Sequence, residues 1–399
     1  MKFKNKGREI YKTKEKNYYV KSKSSRIMSL CLSLMLVGGI VFVGYSVAEP
    51  ILNYTKKQGD IDVSTSENNL EYPSTNTSET AGFTESSVIS EEKMNKTIYK
   101  CASLNPESLT STEKLRTALA EIKMTDAEYV AVPLKVSGGK IYYFTDNGES
   151  YLSGAVVSQL TLENILTEIN GINLKSIAYF SVLEDNIYPA TYPDASFKTA
   201  DDGSIWIDNN IEDGGKPWLS PFSDTAITYV KSLANEVTKA NFDKIIFSDI
   251  TFPPFRQSDL DYIGATVTDT ERYTILVSLA NELYANSLNN GTSVMLEISA
   301  SDILSGRAEV LQPMLLSIST IVLDINFDEL YSINSPNGML YEFTGTPAEK
   351  TLQALNFVKS SLSDYNIVIR LSGETVTDSE LEEAKKVIQE NGYQSYILR

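Results

Sequence analysis

From Thr97 onward, short apolar runs alternate with segments whose apolar residues recur every three or four positions. The runs at 97–103, 129–136, 176–183, 244–250, 293–298, 320–325, 366–371 and 393–398 read as strands. Between them, Leu115, Leu119 and Ile122 share one helical face, as do Leu162, Ile165, Leu166 and Ile169, with Gly171 as the stop. A further helix over 224–239 turns Ile227, Val230, Ala234 and Val237 inward. Capping boxes are predicted at Thr110/Glu113, Thr268/Glu271, Thr346/Glu349 and Thr377/Glu380, the third with Pro347 at the first helical position. Pro133 is a mild objection to a central strand. Eight strands separated by amphipathic helices predict a (β/α)8 TIM-like barrel, with an insertion between the third strand and its helix. The alternative is a doubly wound sheet, which usually carries a Gly-rich phosphate loop. No G-x-G-x-x-G or G-x-x-x-x-G-K-[ST] occurs.

Upstream the pattern changes twice. Residues 27–48, between Arg26 and Glu49, hold no charge. As a helix they would span roughly 33 Å, enough for a hydrocarbon core of about 30 Å. Residues 1–26 carry ten Lys/Arg and two Glu, so the positive-inside rule places this tail in the cytoplasm. Ser46-Val47-Ala48 offers a small-residue cleavage site, but a signal-peptide core is shorter, so a signal-anchor is the preferred reading. Residues 49–96, rich in Ser, Thr and acids with no apolar period, read as a disordered extracellular spacer. The expected order is a basic cytoplasmic tail (1–26), a transmembrane helix (27–48), the spacer (49–96) and the barrel (97–399). Such a chain is single-pass in the cell membrane, with its C-terminal domain outside. Cys31 and Cys101 then lie in different compartments and cannot pair.

Composition narrows the chemistry. Histidine is absent, which excludes a Ser-His-Asp triad and every His-ligated metal site. Two cysteines exclude a Cys-rich zinc site, and no cofactor motif occurs. A net charge of -17 argues against a nucleic-acid partner. Carboxylates are therefore the available acid and base groups. Near the strand C-termini stand Glu184 and Asp185, Ser248 and Asp249, Glu297, Asp324 and Arg370. In a barrel this end carries the chemistry. Asp249 and Glu297, on neighbouring strands, are the preferred catalytic pair for a glycosidic bond, with Asp185 and Asp324 in reserve. Glu297, Asp324 and Arg370 could instead form a buried ion network. Were Glu297 sealed against Arg370, the preference would pass to a binding module. Arg370, Trp206 and Trp218 are candidate sugar contacts; both tryptophans lie in the aromatic insertion. Asp201, Asp202 and Asp208 do not match an EF-hand loop and read as an acidic turn.

Trp218-Leu-Ser-Pro-Phe-Ser223, the helix Ala226 to Glu236, and Asn241-Phe-Asp-Lys-Ile-Ile-Phe-Ser-Asp-Ile-Thr-Phe-Pro253 carry a resemblance. They are similar to the bacterial glycoside hydrolase-like TIM-barrel family, whose members are of largely uncharacterised function. Trp218, Pro221, Ala234, Glu236, Phe242, Asp243, Phe247, Phe252 and Pro253 match its pattern, as Asp185 matches an acid. Several site positions depart from it. Ser248 stands at the strand-four acid, Thr251 at its arginine and Tyr179 at the strand-three arginine. Val136-Ser-Gly-Gly139 lacks the acids that follow strand two. Asp249 falls one residue late; strand alternation would face it away from the site unless a bulge re-aimed it. The resemblance implies a TIM barrel acting on, or binding, cell-wall or extracellular polysaccharide. The alternative is a catalytically inactive barrel that binds glycan or protein.

Overall fold

The computed structural model describes residues 97–263 and 269–398. The tail, the membrane segment, the spacer and the cap at Thr268 lie outside these residues. Eight parallel strands close a barrel: β1 Lys100–Ser103, β2 Tyr129–Lys135, β3 Lys175–Ser181, β4 Lys244–Ser248, β5 Ser293–Ser299, β6 Thr320–Asn326, β7 Asn366–Ser372 and β8 Tyr396–Leu398. Each lies beside its neighbours in sequence, and β8 returns to pair with β1, Tyr396 opposite Lys100. Besides shorter helical turns in the loops, the connections after β1 to β7 carry α1 Thr112–Lys123, α2 Leu162–Gly171, α3 Asp224–Lys239, α4 Asp269–Asn289, α5 Ala300–Ser305, α6 Pro347–Val358 and α7 Asp378–Glu390. Closure excludes the doubly wound sheet, which has two free edges.

The helix α3 shows why the pattern was readable. It buries Val230, Leu233, Ala234 and Val237 on one face. Each fully buried Val or Leu contributes roughly 1.5–3 kcal/mol. Ile227 only partly joins this face. The boxes at Thr346/Glu349 and Thr377/Glu380 form as predicted. The one at Thr110 does not: Pro106–Thr110 is a 3-10 turn, and Ser111 caps α1 by accepting from the Lys114 amide. Gly171 is the last helical residue of α2, while Asn173 supplies the left-handed turn (φ 56°). Pro133 stays within β2, where the register with β3 shifts between Pro133 and Lys135. A missing N–H is tolerated at such an irregularity. After β6 the chain adds a small hairpin, Ser332–Asn334 with Leu340–Glu342, which the apolar pattern did not reveal.

Strand alternation sorts the barrel wall into an interior and a helix-facing side. Cys101, Tyr129, Ala131, Ile177, Ile246, Met295, Val322, Val368 and Ile397 form the interior core. Two residues further along their strands stand Tyr179, Ser248, Glu297, Asp324 and Arg370. The same inward face thus changes from apolar to polar toward the strand C-termini. This layer is the floor of the site.

Candidate active site

A cleft of about 560 Å³ opens at the C-terminal ends of β3 to β6. Glu184, Asp249, Glu297, Asp302, Asp324 and Glu329 bring carboxyl groups to it, with Trp218 and Phe252 among its apolar walls and Arg307 at its rim. Asp249 reaches the cleft because its backbone is left-handed (φ 54°). Aspartate tolerates this conformation better than most residues. Here β4 ends at Ser248, and the turn frees Asp249 from the alternation that would have faced it toward the helices. Ser248 donates its Oγ hydrogen to Asp249 Oδ2 at 3.1 Å.

On the floor, Glu297 Oε1 accepts from the Tyr179 hydroxyl at 2.5 Å and from Arg370 Nη1 at 3.0 Å. Arg370 also lies 3.5 Å from Asp324 Oδ1, which accepts from Ser372 Oγ at 2.8 Å. Asp324 and Arg370 are direct cross-strand partners, and the guanidinium stacks 5.0 Å from the Tyr179 ring centroid. Glu297 is therefore held against Arg370, as the network reading anticipated. Burial pushes both Glu297 and Asp324 upward, with Arg370 opposing the shift. At the rim two further carboxyls are raised in the same way. Asp302, half-buried in the first turn of α5, is pushed up to about 7, by burial first, then by Glu329, with Arg307 opposing. Glu184 is also raised, by burial and by Asp249. Carboxyl groups raised toward neutrality and gathered in one cleft are what acid–base chemistry uses.

Residues 103–302 match the family described as "Putative glycosyl hydrolase domain". The chain belongs to that glycosyl hydrolase family. The described barrel is similar to the PgaB (BpsB) glycoside hydrolase domain from Bordetella bronchiseptica, at 13% identity and a TM-score of 0.54. That match covers 76% of this chain and 94% of the other, and supports a shared fold. A hypothetical protein from Ruminiclostridium thermocellum matches at 21% identity and TM-score 0.38, covering 49% of this chain and 96% of its own. An alpha-galactosidase from Thermus thermophilus matches at 12% and 0.45, covering 75% of this chain and 57% of its own. No curated protein matches the sequence.

Within the barrel the expected site residues separate. Asp249, Glu297, Asp324 and Trp218 meet at the cleft. Asp185 does not. It is fully buried and pairs with the equally buried Lys135 at 3.1 Å, while its Oδ1 accepts from the Ile187 and Tyr188 amides. Its neighbour Glu184 faces the cleft instead. A Cβ at Gly139 would collide with Asp185 Oδ1, so the Gly-Gly turn after β2 is shaped by this pair. Trp206 is also removed from sugar contact: it is buried against Phe197 and Phe255 and packs the insertion. Trp218 stays half-buried, its Nε1 donating to Asp208 Oδ2 at 2.8 Å. Asp202 accepts from the Ser204 amide and Thr199 Oγ1, an Asx-type turn that fits the acidic-turn reading. Arg370 pairs with both Glu297 and Asp324 while about a quarter of its side chain (26%) stays exposed, more than either acid. Asp302 and Glu329 went unread. The signals were Ser299-x-x-Asp302, a helix start directly after β5, and Asn326-Phe-Asp-Glu329 directly after β6.

Proposed function

We propose that the barrel is a carboxylate-dependent glycoside hydrolase, held outside the cell by one membrane anchor and acting on cell-wall or extracellular polysaccharide. The observation that carries this reading is the meeting of Asp249 and Asp302 in one cleft beside Trp218. Asp302 serves as the acid that protonates the leaving glycosidic oxygen. Asp249 serves as nucleophile or base at the sugar carbon. Trp218 supports a sugar ring through apolar stacking. In this assignment Glu297, engaged with Arg370 and Tyr179, positions the floor and gives its place in the pair to Asp302. The test is release of new reducing ends from bacterial wall polysaccharide by the full-length protein and by residues 97–399. Retention of glycan without release would favour the second reading, a binding module. That reading draws on the Glu297–Arg370–Asp324 network, which neutralises the deepest acids, and on Ser248 at the family's acid position.

The anchor and the spacer rest on the sequence of residues 1–96. Among the described residues no helix is long and apolar enough to cross a membrane. Protease added to intact cells is expected to remove the barrel and leave residues 1–26 protected. Recovery of an intact barrel after that treatment would reverse the topology.

A further inference from the structure

The insertion between β3 and α3 is fastened at both of its tryptophans. Trp218 lines the cleft, and its Nε1 donates to Asp208 Oδ2. The other oxygen of that carboxylate, Oδ1, accepts from the Lys216 amide at 2.7 Å, and the Asp208 amide donates to the Lys216 carbonyl at 3.0 Å. Between these pins, residues 209–215 close a tight loop: a Cβ at Gly215 would collide with the Asn209 carbonyl. The Asp208 carbonyl in turn accepts from Arg256 Nη2 at 3.2 Å. Arg256 is held by Asp259, Nε to Oδ2 at 3.0 Å, and Asp259 is also hydrogen-bonded by the Trp206 side chain. A polar chain therefore runs from the cleft tryptophan through Asp208 and Arg256 to the buried one. Arg256 lies on the segment after β4, which brings Asp249, Thr251, Phe252 and Pro254 to the cleft. Phe252 and Phe255 of that segment pack against Phe197 of the insertion, with ring centroids 5.8 and 5.3 Å apart. The insertion and the turn that carries Asp249 are thus packed as one wall.

From this geometry we infer that Asp208 is a positioning residue: it fixes the ring of Trp218 as a sugar platform and so sets how tightly the cleft holds glycan. The inference rests on the glycan reading above and adds the residue that orients its platform. An indole meets a sugar through one flat face, so its tilt decides how much apolar area the two share. A side chain held by apolar contact alone keeps rotamer freedom that binding must remove, and ordering it in advance lowers that cost. Two carboxylate oxygens let Asp208 serve the indole and the Lys216 amide together. Asparagine offers one acceptor oxygen and can serve only one of them.

The experiment uses the detergent-solubilised full-length protein, bacterial wall polysaccharide, and the variants Asp208→Asn, Trp218→Phe and the two combined. Phenylalanine keeps a ring but has no N–H to donate. Asp208→Asn is expected to raise KM for reducing-end release about tenfold and to change kcat by less than about twofold, because the acids of the cleft are untouched. For a barrel that only binds, the dissociation constant takes the place of KM. Trp218→Phe should weaken binding too, and adding Asp208→Asn to it should cost nothing further. Tryptophan fluorescence reads the ring without any glycan. The chain has two tryptophans and Trp206 is only 5% exposed, so acrylamide quenching reports Trp218 and should rise in Asp208→Asn. Losses that add in the combined variant, or quenching that stays at the unmodified level, would overturn the proposal and leave the glycan reading standing. A fall in kcat as large as the rise in KM would mark a merely structural role and overturn it as well. A protein that neither holds nor cleaves the polysaccharide would overturn both readings, whatever the quenching shows.

Discussion

Asp302→Asn is expected to lower reducing-end release by about 10²- to 10⁴-fold, the usual contribution of a positioned general acid. That loss corresponds to roughly 2.7–5.4 kcal/mol of transition-state stabilisation. Asparagine keeps the size of the side chain but cannot deliver a proton. The capping bond from the Asp302 amide to Ser299 Oγ involves backbone and survives. The pH profile separates this role from a structural one. Release should fall as pH rises through about 7, where Asp302 loses its proton, and the variant should lose that limb. Stability supplies an independent check. Asp302 is raised from 3.8 to about 7 in the folded chain, so the fold binds its proton more tightly than the unfolded chain does. Its favourable contribution is therefore complete below the ordinary value and is lost as pH rises toward 7. Wild-type stability should decline across that window more than the stability of Asp302→Asn. A variant that keeps full release and an unchanged alkaline limb would remove Asp302 from the chemistry and return the choice to Glu184.

The barrel was legible because its strands and helices are amphipathic in a regular way. Strand interiors alternate as Met295/Glu297, Val322/Asp324 and Val368/Arg370, so a charged residue two places beyond a core residue marks the floor of the site. Periodicity stops where the strands stop. Asp249 could not be placed by alternation because its own left-handed backbone decides its direction. Which of Glu184 and Asp185 faces the cleft depends on the turn after β3, where the Gly138 amide donates to the Glu184 carbonyl. That contact joins two loops and leaves no mark in either one's sequence. Asp302 and Glu329 lie on segments after β5 and β6, where proximity comes from barrel closure and from no local pattern. The two tryptophans divide for a related reason. Trp206 has aromatic neighbours distant in sequence, Phe255 among them, and sinks into the insertion; Trp218 is pinned by Asp208 at the cleft.

Lys135→Met is expected to cost about 3–5 kcal/mol, the range for removing one partner of a buried ion pair. Neither Lys135 nor Asp185 has side-chain exposure, so solvent cannot take over the role of the lost charge. The pair fastens β2 to the segment leaving β3. Lys135 Nζ also donates to the Ser181 carbonyl at 3.1 Å, and Asp185 holds the amides of Ile187 and Tyr188 that begin the insertion. Without the ammonium, Asp185 remains buried with two amide donors and the Tyr229 hydroxyl as its compensation. A loss of this size is a large share of the roughly 5–15 kcal/mol typical of a folded domain. Urea unfolding of residues 97–399 should show it as a lower midpoint. Asp185→Asn alone should also destabilise, by leaving Lys135 buried without a counter-charge. The double variant Lys135→Met/Asp185→Asn should lose less than the two single losses added, because the second change removes the charge the first one stranded. Additive losses, or a cost below about 1 kcal/mol for Lys135→Met, would mean that the pair does not fasten the insertion. In that case Asp185 would again be open to a role beyond structure.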